Sequence, residues 1–285
     1  MKKRIAAVLL IIALLAGGVW WGIYRSYHNP VVTHYALGKP GRDTVRVVLI
    51  ADLHDMVFGE GNEEVCALVK EQEPDLILLA GDLLNGDSES SDIALGFIRR
   101  MTEIAPVYVS LGNQEKDYMH RNGIGLLEDY QQTGAVLLEL EYTDIEIKGR
   151  EFRIGGMYEY AFRSGKEDYE AITRFLNEYQ DTDRYTIMMA HRPDSFVFLN
   201  SNPWDIDLVV SGHLHGGQVI LPLAGGLWAP DQGWFPEYDY GQYDLNGTTI
   251  IITTGLGTNK EKLPRFNNPP EIVTIDIGIQ ETNGN

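Results

Sequence analysis

The sequence predicts a mixed α/β domain carried behind an N-terminal transmembrane helix, and three observations predict it. An uncharged apolar run of about twenty residues stands near the start. Three short β-branched runs then alternate with segments of helical period. Shorter apolar runs at hairpin spacing follow them. At 285 residues and 44% apolar composition the chain can fill one large core or two small ones, which excludes a disordered or collagen-like protein. No internal repeat or low-complexity tract is present.

Residues Ile5 to Tyr24 (IAAVLLIIALLAGGVWWGIY) carry no charge, and a helix of that length spans a hydrocarbon layer of about 30 Å. Lys2, Lys3 and Arg4 precede the run and Arg25 alone follows it directly, so the charge bias places the N-terminus in the cytoplasm and the body outside, as a single-pass cell-membrane protein. A cleaved signal peptide is the alternative. No A-x-A site or lipobox cysteine is evident, and Trp20 and Trp21 stand where an interfacial aromatic belt would, which favours an uncleaved anchor. Residues 25–43, with Pro30, Gly38, Pro40 and Gly41, lack periodicity and read as a linker.

The body reads as one domain over residues 44–280, with a short tail at 281–285. Val45 to Ala51 is a buried strand, and NEEVCALVKEQE a helix with Asn62 as N-cap and Glu63 and Glu64 at the positive end of its dipole. Strands at 75–80 and 106–111 and helices at 92–103 and 117–132 complete three βα units, which imply a parallel sheet covered on both faces. AVLLEL, TDIEIKG and EFRIGGMY are spaced as antiparallel strands, Lys166 to Tyr179 is helical, and strands at 185–190, 207–211, 248–254 and 271–277 follow. The single cysteine, Cys66, reads as a buried small side chain and rules out both an intramolecular disulfide and a thiolate cluster. A net charge of −18 argues against a broad nucleic-acid surface.

In parallel sheets ligands gather at the carboxyl ends of the strands. Here those ends read ADLHD, AGDLLNGD, SLGNQE, AHRPD and SGHLHGGQ, bringing Asp52, His54, Asp82, Asn113, His191, His213 and His215 to loops on one face. An Asp-x-His or His-x-His at a strand end can aim two ligands at one ion, and Gly81, Gly112, Gly212 and Gly216 permit the turns that converge them. Imidazole mixed with oxygen donors suits Mn, Fe or Zn better than Ca or Mg. Seven ligands are too many for one ion, whereas two divalent metal ions bridged by a carboxylate would use them all.

The ordered series DLH, GD, GN, H and GHLHGGQ resembles the calcineurin-like metallophosphoesterases over about residues 44–280, and GLWAPDQGWFPEYDYGQYDLNGTTIIITTGLG resembles their bacterial membrane-associated branch. The resemblance implies a four-layer αββα sandwich of two mixed β-sheets. It implies one metal on Asp52, His54, Asp82 and His215 and a second on Asp82, Asn113, His191 and His213, with Asp82 bridging. Two cations about 3.5–4 Å apart lower the pKa of a shared water and clamp the phosphate oxygens of a phosphodiester or pyrophosphate. Ser110 and Ser211 are then scaffold rather than nucleophiles.

The chain departs from that pattern at GNQE, where the family usually has GNH. Gln114 can donate a hydrogen bond to a phosphate oxygen but cannot supply a proton near pH 7. That fits an enzyme selective for good leaving groups, a slow enzyme rescued by His120 or Glu115, or a metal-binding protein with little catalysis. Arg192 is a candidate for bidentate contact with a substrate phosphate, while Asp55 and Asp87 read as loop polar groups. The stretch from Leu221 to Tyr243, with Trp228, Trp234, Phe235, Tyr238, Tyr240 and Tyr243, could cover the core, wall the metals or face a bilayer. An amphipathic, lipid-linked phosphate ester or pyrophosphate is the substrate that the membrane branch implies. A nuclease is disfavoured by charge.

Overall fold

A computed structural model describes residues 2–157, 169–198, 204–259 and 262–278. The start of the helix expected from Lys166, the last residue of the run ending at Tyr158, and the tail at 281–285 lie outside the described residues. Helix α1 (Lys2–His28) leads into strands β1 (Val31–Leu37) and β2 (Val45–Ile50). Helix α2 (Glu63–Glu71), β3 (Leu76–Ala80), α3 (Asp92–Thr102), β4 (Val107–Ser110), α4 (Asn113–Asn122), α5 (Gly125–Gln131) and β5 (Val136–Leu137) follow. The second half runs β6 (Glu141–Ile147), β7 (Arg150–Met157), α6 (Tyr169–Tyr179), β8 (Tyr185–Ala190), α7 (Asp194–Val197) and β9 (Leu208–Ser211). Two small ribbons, β10 (Ile220–Leu221) with β11 (Gly225–Gly226) and β12 (Trp228–Ala229) with β13 (Gly233–Trp234), precede β14 (Gly241–Leu245), β15 (Thr248–Ile252) and β16 (Glu271–Ile277).

Among the described residues the long strands form two six-stranded mixed sheets, ordered β1-β16-β2-β3-β4-β5 and β14-β15-β9-β8-β7-β6. Alternation along each strand sorts side chains into three apolar layers. Val48, Ile50, Ile77 and Leu79 face α2 to α5. Val47, Leu49, Leu76 and Leu78 meet Phe152, Ile154, Ile187 and Val210 between the sheets. Met188, Val209 and Ile250 pack on Ile172, Phe175 and Leu176 of α6. Three apolar layers separate four layers of structure, so the architecture is αββα. The strands β2, β3 and β4 are parallel, as are β7, β8 and β9, so both sheets present carboxyl ends to one edge of the sandwich.

Five local expectations change, the first being that AVLLEL, read as an antiparallel strand, supplies only β5, which pairs in parallel with β4 in the first sheet. The segment read as a linker holds β1, an edge strand paired in parallel with β16 from Val31↔Glu271 to Leu37↔Ile277; the flanking Pro30 and Gly38 masked the β-branched and aromatic content of VVTHYAL. The helix expected over 117–132 starts at Asn113 and is divided at Gly123, whose φ of 90° only glycine adopts readily. Asn62 is left-handed (φ 68°) and its side chain does not cap α2, accepting instead the Phe58 N–H at 2.9 Å. Cys66 is half-buried rather than enclosed.

Helix α1 is long and apolar enough to cross a membrane, and near the N-terminus a signal sequence passes the same test. It is exposed through Trp21, and its burial against the domain falls on Gly22, Ile23, Ser26 and Tyr27 of its last two turns. Because Leu78 is enclosed between the sheets, Leu78→Ala should cost about 2–5 kcal/mol in chemical denaturation, whereas Ile124→Ala on the exposed helical layer should shift stability by about 0.5 kcal/mol or less.

Candidate metal centre

The site is built where strands of opposite sheets end side by side. Asp52 and His54 follow β2 and Asp82 follows β3, all in the first sheet; His191 follows β8, and His213 and His215 follow β9, in the second. Asp52, His54 and His215 bring one donor atom each within 4.8 Å of one another, and Asp82, His191 and His213 do the same. All six are buried. The Asp82 Oδ2 joins the two groups, lying 3.1 Å from His191 Nε2 and 3.8 Å from His54 Nε2.

Second contacts fix which atom of each ring faces inward. The His191 Nδ1–H donates to the Ala80 carbonyl at 2.8 Å, and the His54 Nδ1–H donates to Asn85 Oδ1 at 2.9 Å, so in the neutral rings Nε2 keeps the lone pair. Asn85 is itself oriented, its amide donating to the His54 carbonyl at 3.1 Å and to Asp55 Oδ2 at 2.9 Å. Asp55, read as loop polarity, therefore supports a site histidine through Asn85. The His213 Nε2–H donates to Asp231 Oδ2 at 2.7 Å, leaving Nδ1 with the lone pair. Arg192 Nη1 lies 3.7 Å from the same carboxylate oxygen.

The backbone is bent to make this convergence. Asp52 (φ 54°), His54 (φ 49°), Asp82 (φ 54°), His213 (φ 70°) and His215 (φ 48°) all occupy the left-handed region, which costs a side-chain-bearing residue of order 1–3 kcal/mol. The neighbouring glycines are required for close approach: a Cβ on Gly112 would strike the Asp82 carboxylate, and one on Gly212 the Asp52 carboxylate. Glu115 locks the Asp82 turn from below, accepting the N–H groups of Asp82, Leu83 and Gly112 at 2.7–2.8 Å and the Tyr130 hydroxyl at 3.1 Å. Burial and the nearby Asp82 carboxylate push the Glu115 carboxyl up. It is thus occupied with holding a loop, and His120 is exposed on α4.

On the far side, Arg265 is fully buried and donates to the carbonyls of Thr254, Gly255, Gly257 and Asn268 at 2.6–3.2 Å. This holds the 254–257 loop against Asp52, where the Leu256 N–H reaches the Ala51 carbonyl at 3.1 Å. Neither Asn85, Asp231 nor Arg265 was foreseen as a site residue. Asn85 carried a faint signal, standing three residues after Asp82 in GDLLNG.

These groups fit divalent cations. The His54 Nε2, His191 Nε2 and Asn113 Oδ1 atoms are shielded from solvent and have no hydrogen-bond partner among the described residues, and two carboxylates lie among them. Burial opposes a charge on His191, but Asp82 and Asp52 outweigh it and push its pKa up to about 9. At His215 burial prevails and the pKa is pushed down to about 3. Burial would raise Asp52 and Asp82, yet the surrounding histidines hold both below the usual carboxylate range. Two cations held by these groups would supply Lewis acidity.

Two substitutions test the supporting groups. Asn85→Ala frees the His54 ring and should weaken metal binding about 10–100-fold in a competitive-chelator titration, with the fold intact. Glu115→Ala leaves three buried N–H groups and a tyrosine hydroxyl unpaired, and should lower stability by about 1–3 kcal/mol for each that water cannot reach.

The sequence profile of the calcineurin-like phosphoesterases matches residues 45–217, more than half of the chain. The phosphodiesterase YaeI of Escherichia coli (strain K12) is 27% identical over 262 residues, covering 89% of this chain and 92% of that protein. The uncharacterized metallophosphoesterase YkuE of Bacillus subtilis (strain 168) is 27% identical over 284 residues, covering 93% and 92%. The solved structure of TT1561 from Thermus thermophilus superposes with a TM-score of 0.48 at 14% identity, covering 74% of this chain and 90% of its own. With the matched profile running from β2 to the turn that holds His215, the chain belongs to the calcineurin-like phosphoesterase family.

Proposed function

We propose that this protein is a membrane-anchored hydrolase of phosphodiester or pyrophosphate bonds that works with two divalent cations, Mn, Fe or Zn. The observation that carries the reading is the position of Asp82 Oδ2 between the Nε2 atoms of His54 and His191. Asp52, His54, His215 and Asp82 would hold one cation, and Asp82, Asn113, His191 and His213 the other. When bound, the pair would supply Lewis acidity toward the phosphate and an activated water. The phosphodiesterase name carried by the Escherichia coli relative supports the reaction class.

The chain's own residues set what can leave. Gln114 donates its backbone N–H to Asp82 Oδ1 at 2.8 Å, and its side-chain Oε1 accepts from the Gly86 N–H at 2.8 Å and the Asn259 amide at 3.0 Å. That leaves the Gln114 NH2 as a donor toward a phosphate oxygen, with no proton to give a leaving group near pH 7. Leaving groups of low pKa suit such a site, and a phosphate ester or pyrophosphate linked to a lipid is the substrate class available to a centre tethered by α1. Arg192, with its Nη1 3.7 Å from Asp231 Oδ2, would meet a phosphate oxygen. The basic residues before α1 support a catalytic body outside the cytoplasm, and the net charge of −18 disfavours nucleic acid as substrate.

The test is hydrolysis of bis-p-nitrophenyl phosphate by the purified full chain, beside elemental analysis. About two metals per chain, with turnover that a chelator removes and Mn2+ restores, is the expected result. Two metals with no turnover would favour the second reading, a metal-binding protein of this fold, for which Gln114 is the supporting observation. On poor leaving groups Gln114→His should raise the rate by up to about 10²–10⁴-fold if the missing proton is what limits it.

A further inference from the structure

Three large apolar side chains of the 221–243 stretch are exposed: Leu223 at 110%, Phe235 at 62% and Trp234 at 59%. The stretch is divided in its role, because Tyr238 and Tyr243 pack against the outer core of the second sheet, with ring centroids 5.1 Å apart, while these three do not. Leu223 stands at the tip of the β10–β11 ribbon. Trp234 lies on β13, opposite Trp228, and the Phe235 N–H reaches back to the Leu227 carbonyl at 2.9 Å between the two ribbons. The ribbons are therefore one unit that carries three exposed large apolar side chains.

That unit is joined to the end of α1. The Ile220 N–H donates to the Phe266 carbonyl at 3.0 Å, and the Phe266 ring lies against Gly22, where an added Cβ would come within 2.5 Å of it. Ser26 Oγ accepts the Asn268 N–H at 3.0 Å, and the Tyr27 hydroxyl accepts the Arg265 N–H at 3.1 Å. Trp21 of α1 and Pro222 of the ribbon line one cleft of about 400 Å³. A helix entering the hydrocarbon layer at Ile5 reaches Trp21 after about 24 Å, close to the far boundary of a layer about 30 Å thick. Pro222, beside Trp21, then stands at the boundary, and Leu223 is the next residue. The same face carries cations in a chain of strongly acidic balance: Arg25 lines the cleft, and the Lys262 ammonium lies 4.8 Å above the Trp228 ring. Both would meet lipid phosphates.

We propose that the β10–β11 and β12–β13 ribbons rest on the bilayer that α1 enters, with Leu223, Trp234 and Phe235 inserted at its interface. The proposal rests on the reading of α1 as a membrane anchor and adds that the domain itself docks on the lipid surface. Aromatic rings at the headgroup level and an aliphatic tip below them are the side chains that such a surface takes up. The docked ribbons bear on the metal centre through short contacts: the Leu227 N–H donates to the Gly217 carbonyl at 3.1 Å, and the Asn268 amide donates to the His215 carbonyl at 2.7 Å. Docking would therefore fix the cleft close to the membrane plane, where a lipid-linked phosphate lies.

The experiment uses the full chain with Cys66→Ser, carrying Leu223→Cys, Phe235→Cys or Ile124→Cys one at a time. Each is nitroxide-labelled and reconstituted in vesicles of phosphatidylcholine and phosphatidylglycerol. All three positions are exposed, so the substitutions leave the core untouched, and circular dichroism checks the fold. Labels at 223 and 235 should lose collisions with an aqueous nickel chelate and gain collisions with oxygen on reconstitution, while the label at 124 stays aqueous. If the chain floats with the vesicles and the 223 and 235 labels remain as water-accessible as 124, docking is overturned and the anchor stands. If the chain does not float, the anchor reading fails and docking with it.

Discussion

Two carboxylates withdrawn from water set the terms for the rest of this structure. Asp52 and Asp82 end adjacent strands of the first sheet and are almost fully buried, which costs several kcal/mol per ion unless positive partners are supplied. Apart from His54 of the first sheet, the partners come from the second sheet. His191 reaches Asp82 from β8, and His213 offers its backbone N–H to both Asp52 oxygens at 3.0 and 3.2 Å from the end of β9. The inter-sheet core thus does more than exclude water, because its packing fixes the distance between acids on one sheet and bases on the other. A shift of one sheet against the other would leave charges buried and unpaired, so the apolar layers and the polar edge select the same register.

The left-handed conformations of Asp52, His54, Asp82, His213 and His215 follow from that demand. An extended strand alternates its side chains between faces, so it cannot by itself aim Asp52 and His54 at one point while turning the chain away from the edge. A positive φ at each of these residues does both, and surrounding bonds hold the strain in place. Glu115 ties down the turn at Asp82, Asn85 the ring of His54, and Arg265 the loop packed on Asp52. The last of these links runs on through Asn268 to Ser26, so the final turn of α1 belongs to the same scaffold as His215.

The sequence was legible where chemistry is concentrated in short motifs and opaque where it depends on residues meeting across the fold. Asp52, His54, Asp82, His191, His213 and His215 could be read because each sits one to four residues beyond an apolar strand, and strand ends converge by topology. The αββα layering was legible through resemblance, since alternation alone shows burial but not which sheet a strand joins. Strand β1 was hidden because pairing with β16, more than two hundred residues away, is what makes VVTHYAL a strand rather than a linker. Asp231 and Arg265 have no local signature of their roles, and Asn85 only the faint one of standing three residues after Asp82. Each acts through a partner that only the folded chain brings near, and Asp231 comes from a stretch whose aromatic content drew attention elsewhere.

Position 114 shows how a departure from a family pattern can be built in rather than simply missing. A neutral histidine has one acceptor nitrogen, whereas Gln114 Oε1 accepts from both Gly86 and Asn259. The amide therefore joins the loop after β3 to the loop after β15, where an imidazole would join at most one. The exchange gives up a proton donor and gains a tie between two loops. In the proposed phosphohydrolase, that trade is tolerable where the leaving group departs without protonation.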